Sequence, residues 1–183
     1  AGGSGFLGHV LATALRAKNY EVVVLTRSPR ERSDGVKEIT WDGVHVGEWI
    51  QTLEGAEAVV NLTGRNVNCP HTPENLQEIL VSRTDSVKAV AGGILHVTRP
   101  PRVWVQAGAT GFYGDRQDEL CVETSSGGSN ALAKICEQWE STFNAAKAPK
   151  TRRVLLRIGL VLGRESGALP VLSRIKKWFL ARC

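Results

Sequence analysis

Apolar and polar positions along the chain follow two periods, and the switches between them divide it into helix-length and strand-length pieces. After the stretch Gly2-Gly3-Ser4-Gly5-Phe6-Leu7-Gly8, residues Leu7, Val10, Leu11, Ala14 and Leu15 recur at helical spacing and share one face. Asn19 ends that helix, and the apolar run over residues 21–25 reads as a parallel strand buried on both faces. A short strand follows over 37–41, turned by Asp42-Gly43, then a helix through about 46–53 and a second buried strand within 56–64. Thr72-Pro73-Glu74 combines a cap, a proline at the first helical position and a first-turn acid, which starts a long helix. Its stripe is Leu76, Leu80, Arg83, Val87, Val90 and Ile94, and Arg99-Pro100-Pro101 closes it. A strand over 102–106 runs into residues 107–115, and polar loop residues lead to a helix from Asn130. Leu132, Ile135, Cys136, Trp139 and Phe143 form its buried face. Residues 153–158 make the last clear strand, Gly159–Gly163 follows it, and 169–180 reads as one more amphipathic segment. Strands alternating with helices predict one α/β domain across 1–183, a parallel sheet covered by helices.

Composition narrows the function without naming it. With 42% hydrophobic and 22% charged residues in 183, the chain has ordinary globular make-up and enough material for a real core. No apolar run approaches the roughly 18 residues of a membrane span. Cys69, Cys121, Cys136 and Cys183 are scattered without a CxxC pair, and no histidine joins them at metal spacing. Cys69-Pro70-His71 comes nearest and reads as a loop, so no metal is expected and the thiols read as reduced, in a cytoplasmic setting. The net charge of +5 suits an anionic cofactor or substrate but lacks the clustered basic stripe of a nucleic-acid binder.

The glycine stretch is the richest chemical signal. A glycine turn feeding a helix aims free backbone N–H groups and the positive end of the helix dipole at one point, the geometry for a pyrophosphate. Gly2 permits the tight turn, Gly5 the close approach and Gly8 the helix-to-sheet contact, with Phe6 and Leu7 completing the candidate contacts. The fold this implies is a Rossmann-type, doubly wound parallel sheet. Such a sheet carries a strand before its glycine turn, so the expectation is a chain cut at its N-terminus, and the segment at 169–183 suggests a second cut. At the end of the 21–25 strand, Thr26 and Arg27 stand where NAD-specific folds carry an acid, which selects NADP(H); the plainer reading is a solvated basic loop. Trp41 and Asp42 are candidates to flank the adenine, with Trp41 equally a packing residue. Leu62-Thr63-Gly64 ends its strand in small residues that let a flat ring approach. Arg83, set among apolar neighbours, contacts a cofactor or substrate anion, pairs with a nearby carboxylate, or snorkels to the rim. Glu78 either reaches a ribose hydroxyl or is solvated.

Seven motifs taken together carry a family resemblance: GGSGFLG at 2–8, LTRSP at 25–29, VVNLTG at 59–64, SR at 82–83, ATGFYGD at 109–115, CEQWE at 136–140 and LRIGLVLG at 156–163. The chain resembles the extended branch of the short-chain dehydrogenase/reductase superfamily, in its atypical "epimerase family" subgroup. The resemblance implies NADP(H) contacted at Thr26, Arg27, Leu62, Thr63, Glu78, Arg83 and Val161. It also implies a further C-terminal lobe completing the pocket and a small-molecule substrate, a nucleotide sugar or carbonyl compound. The superfamily's chemistry uses a tyrosine, a lysine four residues later that lowers its pKa and holds the nicotinamide ribose, and a serine or threonine. Here Lys134 stands at the lysine position, also at pair spacing with Glu137, but Asn130 occupies the tyrosine position and Ala109 the serine position. An amide neither donates nor takes a proton as acid or base. Tyr113 and Thr110 are the candidates to substitute. Two readings follow: an oxidoreductase or epimerase with a non-standard proton donor, or a non-catalytic NADP(H)-binding sensor or scaffold.

Overall fold

In the computed structural model, which describes residues 1–163, 166–170 and 172–174, helices and strands alternate along the chain. Helix α1 (Phe6–Ala17) leads to β1 (Val23–Thr26) and β2 (Lys37–Thr40), then β3 (Ala58–Asn61) and the long α2 (Pro73–His96). Strand β4 (Val103–Ala109), α3 (Ala131–Ala145) and β5 (Arg152–Ile158) complete the order. Every strand pair is parallel: β1 with β2, and β3–β4–β5 as a second group with β4 in its centre. A groove of about 1020 Å³ lies between the two groups, lined by Leu11, Leu15, Val23, Leu25, Val59 and Val60. Ala1 joins β3 at one end of it, donating to the Val60 carbonyl (2.8 Å) and accepting from the Leu62 N–H (3.0 Å).

Local chemistry accounts for the helix boundaries. Asn19 adopts φ 63°, and the Tyr20 N–H closes on the Leu15 carbonyl at 3.1 Å, ending α1 in a left-handed cap. Thr72 caps α2 by accepting from the Asn75 N–H, with Pro73 at the first helical position. Asn130 caps α3, its Oδ1 accepting from the Ala133 N–H at 2.8 Å. The main core gathers Val59, Val87, Val90, Ile94, Trp139 and Phe143 around Trp104, which is wholly buried on β4 and meets Phe143 edge-to-face at 4.7 Å.

Several boundaries and faces differ from the pattern. The first strand begins at Val23 rather than residue 21, and β3 stops at Asn61, short of 64. Strand β4 instead runs three residues beyond Gln106, because β5 pairs with it as far as Ala109. Residues 48–53 form a 3₁₀ helix, not an α-helix. Helix α1 buries Gly8 and Ala12, with Leu11 and Leu15 half-buried, while Val10 and Ala14 face out. Small residues are what let this helix lie close on the glycine turn. On α2, Ile79, Ser86, Ala89, Ala91 and Gly93 join the buried face, and Leu76 and Leu80 are only half-buried. On α3, Leu132 is half-buried and Ala133 and Glu140 are buried instead. Trp41 is a core residue, its ring 5.2 Å from that of Trp49 and tilted 48° to it, and it donates to the His45 carbonyl. Beside it, three hydrogen bonds from Val44 and His45 hold the Asp42 carboxyl at about 2. The amphipathic segment read at 169–180 lies largely outside the described residues.

Truncation at the centre of this core tests the packing. Trp104→Ala removes an aromatic buried between β4 and α3, which costs about 3–5 kcal/mol. The expected outcome is a lower urea midpoint with an unchanged m-value.

Candidate functional site

The carboxyl ends of the parallel strands converge on the glycine turn. Gly2, at φ 72°, lies so close to the end of β3 that a Cβ there would stand 2.8 Å from the Leu62 carbonyl carbon and the Thr63 nitrogen. A Cβ on Gly8 would stand 2.4 Å from the Gly3 Cα, so only glycine allows the helix to start here. Gly43, in the turn after β2, faces the Thr63 methyl, and Gly163, beyond β5, packs against the Phe6 ring. Val161 is thereby carried on the same rim as the start of α1.

This rim fits an anionic dinucleotide. Helix α1 has no side-chain cap and no acid in its first turn, so its first N–H groups face the turn without a competing side chain. The Thr63 Oγ1 is buried and has no hydrogen-bond partner, an orphan at the strand end where a ligand group would sit. At the end of β1, Thr26 is half-buried and Arg27 is exposed, and Arg27 makes no ion pair among the described residues. Its neighbour Arg32, by contrast, is held by Asp34 and Glu38.

A buried polar network holds the strand ends in place. Asn61 is wholly buried, donating to Ser86 Oγ (3.1 Å) and Gln106 Oε1 (3.0 Å) and accepting from the Thr63 N–H (3.1 Å). Ser86 donates in turn to the Arg83 carbonyl, and Gln106 to that of Ala107. Arg83 itself donates from one nitrogen to the Arg65 and Ile79 carbonyls and lies 5.1 Å over the Trp139 ring. Its guanidinium packs on Gly64, where a Cβ would stand 3.1 Å away. Burial lowers the pKa of this arginine, and among the described residues it has no carboxylate partner. Glu78 is ion-paired with Arg65 on the more exposed side of α2.

The far side of the rim holds the positions compared with the superfamily triad. Asn130 is engaged as the α3 cap. Lys134, one turn on, is more than half exposed and donates to Glu137 at 2.8 Å. Thr110 is exposed at the end of β4, beside Gly159. The Tyr113 hydroxyl donates to the Val122 carbonyl (3.0 Å) and accepts from Arg157 (2.8 Å), so both its hydrogen-bonding roles are used. Arg157 is the anchor of this region. It makes a bidentate pair with buried Glu140 (2.9 and 2.8 Å), lies 3.8 Å over the Phe112 ring and donates to the Glu123 carbonyl. That carboxylate raises the pKa of Arg157 further. A cavity of about 420 Å³ is lined by His71, Gly111, Gly114, Asn130, Ala131 and Leu132.

Asn61, Gln106, Ser86, Glu140, Arg157 and His71 were not among the candidates read from sequence. Arg157 alone carried a usable signal there, as a charge inside the apolar run 154–158. Asn61, Ser86, Gln106 and Glu140 have partners remote in sequence that meet them only in the folded chain.

A glycine turn and an uncapped helix start at the carboxyl ends of parallel strands define the class of dinucleotide-binding α/β proteins. Within it, the chain belongs to the NAD dependent epimerase/dehydratase family, whose model matches residues 1–181. It is 37% identical over 177 residues to the chloroplastic SDR39U1 homolog of the epimerase family from Arabidopsis thaliana, covering 93% of this chain and 50% of the relative. Human epimerase family protein SDR39U1 is 32% identical over 174 residues, covering 92% of this chain and 55% of that protein. The crystal structure of human SDR39U1 (isoform 2) with NADPH superposes with a TM-score of 0.80 at 29% identity, over 94% of this chain and 57% of that one. A nucleoside-diphosphate sugar epimerase from Corynebacterium glutamicum gives a TM-score of 0.74 at 28% identity, over 95% and 36%. The chain therefore spans about half the length of the curated relatives it matches.

The Arg157–Glu140 pair is the testable support of this half of the site. Glu140→Gln leaves a half-buried guanidinium without its counter-charge, an expected loss of about 3–5 kcal/mol. Limited proteolysis should cut the 114–129 loop faster in this variant than in the parent.

Proposed function

We propose that this chain binds NADP(H) at the glycine turn and forms the cofactor half of an oxidoreductase or epimerase acting on a small molecule, a nucleotide sugar or carbonyl compound. The observation that carries this reading is the uncapped start of α1, seated on a glycine cradle against the end of β3. Gly2, Gly5, Phe6, Leu7 and Gly8 would hold the pyrophosphate, and Thr26 and Arg27 the phosphate on the adenine ribose. Leu62, Thr63 and Gly64 would line the ring and ribose face, with Thr63 Oγ1 gaining the partner it lacks. Arg83 and Val161 flank the same rim, and Lys134 would reach the nicotinamide ribose by exchanging its pair with Glu137. Glu78 would reach the ribose by exchanging its pair with Arg65. When bound, NADP(H) supplies or accepts a hydride; the protein's part is to hold it and to manage the substrate proton. The human relative crystallised with NADPH supports the same cofactor here.

A second reading, a non-catalytic NADP(H)-binding sensor or scaffold, draws on a specific observation. Asn130 caps α3, Tyr113 is committed to Arg157 and Val122, and neither is a free proton donor. Assaying the full natural protein with NADPH against sugar nucleotides and carbonyl compounds separates the readings, since the sensor predicts binding without turnover.

Two substitutions test the cofactor assignment. Arg27→Ala removes a charge-assisted hydrogen bond worth about 1.5–3 kcal/mol. Selectivity for NADPH over NADH should fall about tenfold to a hundredfold in fluorescence titrations; equal affinities in the parent refute the choice of NADP(H). Lys134→Ala should weaken NADPH binding by about 1–3 kcal/mol under either reading. In Asn130→Tyr the tyrosine–lysine spacing returns, but the α3 cap is lost at about 1 kcal/mol, so thermal stability should fall along with any gain in turnover.

A further inference from the structure

We propose that His71 is the proton-transfer group of the substrate pocket beside α3, the role that Asn130 cannot perform; this rests on the NADP(H)-dependent reading above. Asn130 and His71 line the same cavity of about 420 Å³, together with Gly111, Gly114, Ala131 and Leu132. Among the described residues lining it, His71 is the one whose side chain, an imidazole, can both give and take a proton. The other groups near by are committed elsewhere. Asn130 accepts from the Ala133 N–H, Lys134 is paired with Glu137, and the Tyr113 hydroxyl is bonded on both sides.

The imidazole is held in a defined tautomer. Its Nε2 lies 3.2 Å from the Val67 carbonyl. A carbonyl only accepts, so Nε2 carries a proton and Nδ1 of the neutral ring is left to exchange one. The backbone around it is pinned as well. Cys69 N–H bonds the same Val67 carbonyl at 2.9 Å, Asn75 donates to the Pro70 carbonyl at 2.7 Å, and Thr72 begins α2 immediately after His71.

The step balances with one cofactor. In the reducing direction the carbonyl carbon of the substrate accepts a hydride, with its electron pair, from the reduced nicotinamide. The C=O π pair moves onto oxygen, which takes the proton from Nδ1 of the imidazolium, leaving neutral His71 and an alcohol. In the oxidising direction Nδ1 takes the hydroxyl proton as the hydride leaves carbon for the oxidised nicotinamide. His71 is exposed, so its replacement leaves the core intact.

The test uses the full natural protein, in parent, His71→Gln and His71→Gly forms. NADPH affinity by fluorescence should change less than twofold in both variants. Carbonyl turnover should fall about 10²–10⁴-fold, the usual contribution of a general acid or base. Added imidazole should restore part of the activity of His71→Gly and none of that of His71→Gln. A readout independent of turnover is ¹⁵N NMR of the His71 ring: Nδ1 should be the unprotonated nitrogen of the neutral form, and its shift should move when a carbonyl compound is added to the apoprotein. Turnover retained in His71→Gln overturns the role of His71 and leaves the cofactor reading standing. Failure of the parent to bind NADPH overturns the cofactor reading itself. Binding without turnover in the parent, with no ligand-induced shift at Nδ1, overturns the proposal and favours the sensor.

Discussion

The saturated amide of Asn61 is the constraint on which the site depends. It sits wholly buried at the end of β3, and its three hydrogen bonds reach α2, β4 and the backbone of Thr63. A buried amide left short of a partner costs about 1–3 kcal/mol, so each of those groups is held to a narrow position. Through Ser86 the network also fixes the backbone of Arg83, and through Gln106 it fixes β4 just before the strand leads into Thr110. The strand end that faces the glycine turn is therefore held from three sides by the protein's own groups. A polar network that is fully satisfied can do this in a core where an apolar contact of the same size would leave the register less defined.

The opposite half of the rim is organised by a different force. Arg157 leaves β5 and meets Glu140 from α3 in a bidentate pair, then spends its remaining donors on Tyr113 and Glu123. Its face covers the Phe112 ring. One guanidinium thus ties the sheet, a helix and the loop between β4 and α3, which has few apolar anchors of its own. The charge is tolerated because its carboxylate partner, buried and correctly oriented, meets it in a bidentate pair. This arrangement accounts for Tyr113: its ring and hydroxyl brace the loop rather than face an open pocket.

Asn130 is committed to helix stability, as the cap of α3. A short amide accepts from the free Ala133 N–H of α3 from the cap position, which a phenol cannot do. His71, supplied by the loop ahead of α2, lines the same cavity as Asn130. That two such residues share one cavity is readable only when their elements are brought together in the fold.

The alternation of elements, their parallel α/β class and the glycine turn were all legible in the sequence, because each is a local property. Helical and strand periods, a cap followed by proline, and glycines at fixed spacing act within a few residues of themselves. The ends of β1, β3 and β4 were not, since a strand ends where its neighbour stops pairing, as β5 carries β4 to Ala109. Nor was the face of α1, whose Gly8 and Ala12 are buried because the helix must lie close on the turn, not because they are the most apolar choices. The open alternatives at Trp41 and Glu78 depended on what stood opposite them: Trp49 for one, Arg65 for the other. Asn61, Glu140 and Arg157 became site residues only through partners between 17 and 45 positions away. Local sequence sets which elements form; long-range burial decides which polar groups must find one another.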